Sequence, residues 1–199
     1  WPPGTGAIFP LSDPTNMTVT RYHEFPYLKN PSYSPLCQQG EQLALDALRC
    51  ALTAAVSKRM MSDRPVAALL SGGLDSSLIA ALVQQQLNAL PDGQRKKLRT
   101  FSIGFSGSAD LKYARMVAEH IGSDHTEVVS TPDEFFAAIP TVVAVTETYD
   151  ITTIRASVGN YLIAKAVSDL SDCKVLFNGD GSDEVLGGYL YLSRAPTDS

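Results

Sequence analysis

An apolar run, Pro65-Val66-Ala67-Ala68-Leu69, passes directly into Leu70-Ser71-Gly72-Gly73-Leu74-Asp75-Ser76-Ser77 and then into Leu78-Ile79-Ala80-Ala81-Leu82-Val83. That order reads as a buried strand, a tight turn and a helix start. Adjacent glycines let the turn approach a bound group closely, and the first N–H groups of the helix carry the positive end of its dipole. The unit therefore predicts an anion site. It is not a Walker loop, because its glycines are adjacent and no lysine follows them. The charge that does follow, Asp75, is negative. An acid beside a phosphate cradle makes sense mainly with a divalent cation between them.

The chain from Glu41 onward repeats the strand-helix alternation. Leu45, Leu48, Leu52 and Val56 recur at three and four residues, with Lys58 and Arg59 following, which predicts an amphipathic helix with a basic C-terminus. Strands are expected at 66–70, 98–104, 125–129 and 174–177, and helices at 75–87, 109–121, 132–146 and 155–170, the second ending at Gly122. This pattern predicts an α/β fold, a parallel sheet with helices on both faces. Ligands of such sheets sit beyond the C-terminal strand ends, at the switch point, so the loops after the first, second and fourth strands are the ones to search. Residues 1–40 hold most of the prolines and a short extended piece, Met17 to Tyr22. They read as the closing hairpin and linker of a preceding domain, with 41–199 as a second domain.

With 199 residues, 44% hydrophobic and 19% charged, the composition is that of an ordinary globular chain. A formal charge of −5 supplies no field for nucleic acid. The three cysteines, Cys37, Cys50 and Cys173, form no CxxC pair, which argues against a zinc site or disulfide framework and for a reducing compartment. Cys50 sits within a helical apolar pattern and reads as buried packing. No apolar run reaches spanning length and no signal peptide is visible, so the expectation is a cytoplasmic protein with no membrane partner. Both ends read as cut from something larger.

Two further segments carry candidate chemistry. After the fourth strand comes Asn178-Gly179-Asp180-Gly181-Ser182-Asp183-Glu184, whose acids would repel one another unless solvated or neutralised by a cation. Such residues are also ordinary turn formers. Their place at a strand end, in register with the Ser71 loop, favours a site in which Asp75 and Asp183 bridge Mg²⁺ to phosphate oxygens. Between the loops lies Glu147-Thr148-Tyr149-Asp150-Ile151-Thr152-Thr153-Ile154-Arg155-Ala156-Ser157. Its two threonines and arginine suit a carboxylate ligand, or else Thr152 or Thr153 simply caps a helix and Arg155 is solvated. His23, His120 and His125 form no triad with a serine and an acid, and His125 at a strand start reads as packed or exposed structure.

The Ser71-Gly72-Gly73-Leu74-Asp75-Ser76 block resembles the PP-loop ATP pyrophosphatases, which cleave ATP between its α and β phosphates. Further blocks resemble the synthetase domain of the glutamine-dependent asparagine synthetases. They are Thr100 to Gly104, Asp110-Leu111 with Val117 to Ser123, Glu147 to Ser157, and Gly179 to Tyr191. They follow the family's order, and residues 1–30 resemble the end of its glutaminase domain.

The resemblance implies that L-aspartate attacks MgATP to give β-aspartyl-AMP and pyrophosphate, and that ammonia then displaces AMP to give asparagine. It implies that Leu70, Ile103, Asn178 and Gly179 line the adenosine pocket and that Ser71, Gly72, Gly73, Asp75 and Ser76 form the pyrophosphate loop. It places Asp75 and Asp183 on Mg²⁺, and Thr152, Thr153 and Arg155 near aspartate. The family usually has Ser and Glu where this chain has Asn178 and Asp180. Its Glu handles the intermediate, so Asp180, one methylene shorter, inherits that role and puts the ammonia step in question. The glutaminase nucleophile and the later pyrophosphate-holding basic residues are not matched, so the chain is expected to contain the nucleotide pocket yet be weak or inactive alone. Ammonia would come from a glutaminase domain outside this chain, and a homodimer is a candidate assembly. The rival readings are another PP-loop synthetase, such as a β-lactam synthetase, or a non-catalytic nucleotide-binding remnant.

Overall fold

The computed structural model describes residues 2–24 and 38–194. Cys37 and the Pro-rich stretch around it lie outside the described residues. The chain divides into two compact units, residues 1–47 and 48–199. In the first, β1 (Thr5–Ile8) pairs antiparallel with β2 (Thr18–Arg21), Thr5 facing Arg21 and Ile8 facing Thr18. Helix α1 (Gln38–Arg59) runs on into the second unit.

The second unit is built on four parallel strands in the order β5-β4-β3-β6, where β3 is Val66–Leu69, β4 Arg99–Gly104, β5 Asp124–Val129 and β6 Val175–Phe177. The helices are α2 (Leu74–Asn88), α3 (Ala109–Ile121), α4 (Pro132–Thr146), α5 (Ile151–Leu170) and the short α6 (Ser182–Leu186). The chain lays down β3, β4 and β5 in one direction, then returns to place β6 on the other side of β3. That reversal makes the C-terminal ends of β3 and β6 the switch point, where an open α/β sheet leaves a crevice.

Alternation along β3 explains why helices cover both faces. Ala68 and Leu70 join Val56, Val83, Leu87 and Ala114 in one apolar cluster, packed by α1, α2 and α3. Ala67 points the other way, into a cluster with Phe101, Ile163 and Val167 that α5 supplies. Ala67 and Ala68 are wholly buried, and their small side chains let the helices approach the sheet closely. Helix α4 packs outside α5 through Ala138, Val142 and Val158. The expected α/β sheet with helices on both faces is the observed one.

Some sequence expectations need correction. The α1 periodicity predicts an amphipathic helix with a basic C-terminus, which is observed, but its apolar face is covered only in part: Val56 is buried while Leu45 and Leu48 are exposed. Cys50 is exposed too, because it lies off the stretch of α1 that meets the sheet; Cys173 is buried under α5. Helix α5 starts at Ile151, one turn earlier than Arg155, because Asp150 caps it: its carboxylate accepts from the Thr153 N–H at 2.7 Å. Neither Thr152 nor Thr153 is the cap. His125 is a structural residue on the sheet, its ring nitrogens 2.9 Å from Thr100 Oγ1 and 3.1 Å from Ser102 Oγ. Half-buried there, it has its pKa lowered by desolvation, opposed by the nearby Glu127 carboxylate.

Candidate functional site

The turn after β3 is held by its own hydroxyls. The Ser71 N–H donates to Ser76 Oγ at 3.2 Å, the two Oγ atoms are 2.9 Å apart, and the Gly73 N–H donates to Ser71 Oγ at 3.3 Å. Gly73 is the N-cap of α2 and no side chain caps that end, so the first N–H groups of a 15-residue helix are left for a ligand. Gly72 has φ +82°, and a Cβ there would lie 2.6 Å from Ala114 N. Its role is to let the turn press against α3, and it lines none of the cavities at this end of the sheet.

The turn after β6 meets the first one backbone to backbone. A Cβ on Gly179 would come within 2.6 Å of Ser76 N and 2.7 Å of Asp75 C, so only glycine allows the contact. Asn178 Nδ2 donates to Asp180 Oδ2 at 2.9 Å and so orients that carboxylate. The Tyr189 hydroxyl donates to Glu184 Oε1. This bond holds the Glu184 carboxyl below its ordinary range and pushes Tyr189 up to about 12.

Besides a cavity of about 450 Å³ lined by Leu48, Leu52, Leu78 and Ile79 with Asp75 and Gly179, two cavities open where the turns meet. One, of about 150 Å³, is lined by Leu70, Phe101, Ile103, Ile163 and Asn178 with Ser71, Ser76, Asn160, Gly179 and Asp180. The other, of about 370 Å³, is acidic: Asp75, Asp180, Asp183 and Glu184 line it with Ser71, Gly73, Ser76, Ala156, Asn160 and Tyr189. Among the described residues no basic side chain lines either cavity. Among the described residues none of these four carboxylates is in an ion pair.

Asp75 and Asp183 therefore offer hard oxygen donors on one open cavity, beside a helix end that attracts phosphate. No cluster of three or more potential ligands occurs among the described residues. Two carboxylates completed by phosphate oxygens and water are the donor set that Mg²⁺ accepts, so the residues fit that ion.

Of the residues singled out by sequence, Leu70, Ser71, Gly73, Asp75, Ser76, Ile103, Asn178, Gly179, Asp180 and Asp183 come together here. Thr152, Thr153 and Arg155 line neither cavity. The Thr153 hydroxyl is turned to Asp150 at 2.8 Å, and Arg155 is exposed, its guanidinium with no hydrogen bond among the described residues. Thr152 does precede Ala156 and Asn160 by four and eight residues, which puts it on the same face of α5. Sequence reasoning missed Asn160, Ala156, Ser102 and Tyr189. The signal for Ala156 and Asn160 was their spacing of four and eight residues from Thr152; Ala156, Ser102 and Tyr189 also lay within blocks already singled out.

The asparagine synthase family model matches residues 47–199. The chain is 49% identical over 150 residues to the asparagine synthetase (glutamine-hydrolyzing) of Homo sapiens, which covers 75% of this chain and 26% of that protein. The Bos taurus protein of the same name gives the same 49% over 150 residues, again 75% of this chain and 26% of the relative. The chain thus spans about a quarter, 26%, of the length of these curated relatives. A solved NAD+ synthetase from Burkholderia pseudomallei matches with 20% identity and a TM-score of 0.47, over 85% of this chain and 62% of that one.

Proposed function

We propose that this chain, which belongs to the asparagine synthase family, forms the ATP-binding part of a cytoplasmic ligase that converts L-aspartate to L-asparagine. One observation carries the reading. Gly179 brings the turn after β6 onto the Asp75–Ser76 backbone, so an uncapped helix N-terminus, an apolar pocket and a set of carboxylates in no ion pair among the described residues converge at one switch point. Few ligands other than a metal-bound nucleoside triphosphate need all three.

In this reading the base lies against Leu70 and Ile103. The first N–H groups of α2 receive the β- and γ-phosphates, and the Ser71–Ser76 hydroxyl pair holds the turn that presents them. Asp75 and Asp183 would hold Mg²⁺, which neutralises charge on the departing pyrophosphate. The aspartate side-chain carboxylate attacks the α-phosphorus and pyrophosphate leaves, giving β-aspartyl-AMP. Ammonia, from a glutaminase domain outside residues 41–199, then attacks the acyl carbon and expels AMP.

The protein needs no nucleophile of its own; alignment and charge placement do the catalysis. Asp180, oriented by the Asn178 amide, is the carboxylate placed to take a proton from the attacking ammonia. Thr152, Thr153 and Arg155, at the start of the helix that lines the acidic cavity, would hold the aspartate. The test is pyrophosphate release with MgATP and L-aspartate, with and without ammonia, in this chain and in a longer protein containing it. Aspartate-dependent release, with asparagine formed on adding ammonia, is the expected result. Release that ignores aspartate in the longer protein would overturn the substrate assignment.

A further inference from the structure

The two cavities share five residues: Ser71, Ser76, Asn160, Gly179 and Asp180. These form the neck between the apolar pocket and the acidic one. Ser71 and Ser76 are bonded to each other, Asp180 accepts from Asn178, and Gly179 has no side chain. Asn160 differs. Its carboxamide makes no hydrogen bond to any described residue, and it stands exposed on the face of α5 that Ala156 also turns to the acidic cavity.

We propose that Asn160 is a substrate-contact residue that holds the nucleoside monophosphate half of the bound nucleotide, through its α-phosphate or ribose. The proposal rests on the ATP reading above. A triphosphate with its base beside Leu70 and Ile103, and its outer phosphates between the α2 N-terminus and Asp75 and Asp183, must pass its α-phosphate and ribose through the neck. A carboxamide suits that place. It offers two donors and an acceptor to a phosphate or a hydroxyl. It adds no charge to a cavity already lined by four carboxylates, and none that would retain pyrophosphate after cleavage. The contact therefore follows the AMP half when the bond between the α and β phosphates breaks.

Titration calorimetry of the chain with MgATP, AMP and magnesium pyrophosphate tests this in the wild type, Asn160→Ala and Asn160→Asp. Alanine is the better helix former at an exposed helical position, and thermal unfolding checks that each variant folds. Asn160→Ala is expected to weaken MgATP and AMP about tenfold while pyrophosphate changes by less than about twofold. Asn160→Asp should weaken the two nucleotides further, by adding a charge beside a phosphate. Equal loss for pyrophosphate would overturn the assignment, as would unchanged affinity for all three. A wild-type chain that bound neither ATP nor AMP would overturn the nucleotide reading and the assignment with it. Wild-type binding with an unaffected Asn160→Ala would overturn the assignment alone.

Discussion

The turn after β3 and the junction between α4 and α5 have similar ingredients, hydroxyl side chains next to a charge at the start of a helix. They use them differently. At the first, Ser71 and Ser76 bond to each other and to the turn's backbone, Gly73 supplies no side-chain cap, and the helix end stays open. At the second, Asp150 takes the Thr153 N–H and hydroxyl, so the helix end is closed by the protein itself. An open helix end is a binding device and a closed one is a stability device. Which of the two a hydroxyl-rich start becomes depends on whether an acid stands at the cap.

The contrast can be broken most severely at Gly179. Gly179→Ala forces a methyl group into the Asp75–Ser76 backbone, and the two turns must separate. Overpacking of this kind costs about 1–3 kcal/mol. Unfolding curves should show that loss, and calorimetry should show MgATP binding gone. Arg155→Ala probes the other region. Because Arg155 lines neither cavity, MgATP affinity should hold while aspartate-dependent pyrophosphate release by a longer protein is lost; weakened MgATP binding would mean that the arginine serves the nucleotide instead. Asp75→Asn leaves the turn's size unchanged but removes a hard anionic donor. The Mg²⁺ dependence of ATP binding should weaken, about tenfold in apparent affinity.

Asp150→Ala should lower the melting temperature by a few degrees and leave MgATP binding alone, the reverse of Asp75→Asn. The Thr153 N–H and hydroxyl hold the Asp150 carboxyl below its ordinary value of 3.8, so its stabilisation is present above that pH and is lost as pH falls through the lower folded value. The smallest effect concerns His125, whose pKa lies below its ordinary 6.5 because burial disfavours the charged ring. Stability should be full above that value and decline as pH falls through the lower folded pKa. Urea unfolding at a series of pH values should show part of this slope vanish in His125→Asn.

Much of the architecture is legible in the amino-acid order. Apolar runs predict β3 and β6, VAAL and VLF, within a residue or two, because strands covered on both faces read as continuous apolar segments; β4 and β5, RTFSIG and DHTEVV, are more polar and are found from their place between helices and turns. Gly122 ends α3 as expected, with φ +71°. What is not legible depends on distance in sequence. Asp150 as the cap of α5 is hidden because Thr152 and Thr153 are equally good candidates by type. The exposure of Cys50 and Leu48 is hidden because a periodic pattern shows that a helix has an apolar face, not how much of it is covered.

The chain's own residues determined the Ser71 turn. Its glycines, hydroxyls and following helix are contiguous, and contiguous residues carry their backbone geometry with them. Only the tertiary structure decided that the Asn178–Glu184 turn is part of the same site. The parallel register that sets Ala68 beside Phe177 brings β6 next to β3, and the missing side chain of Gly179 lets the two turns touch. The packing of α5 on the sheet through Ile163 and Val167 places Asn160 at the neck between the cavities, where helical spacing alone could give its face but not what the face would meet.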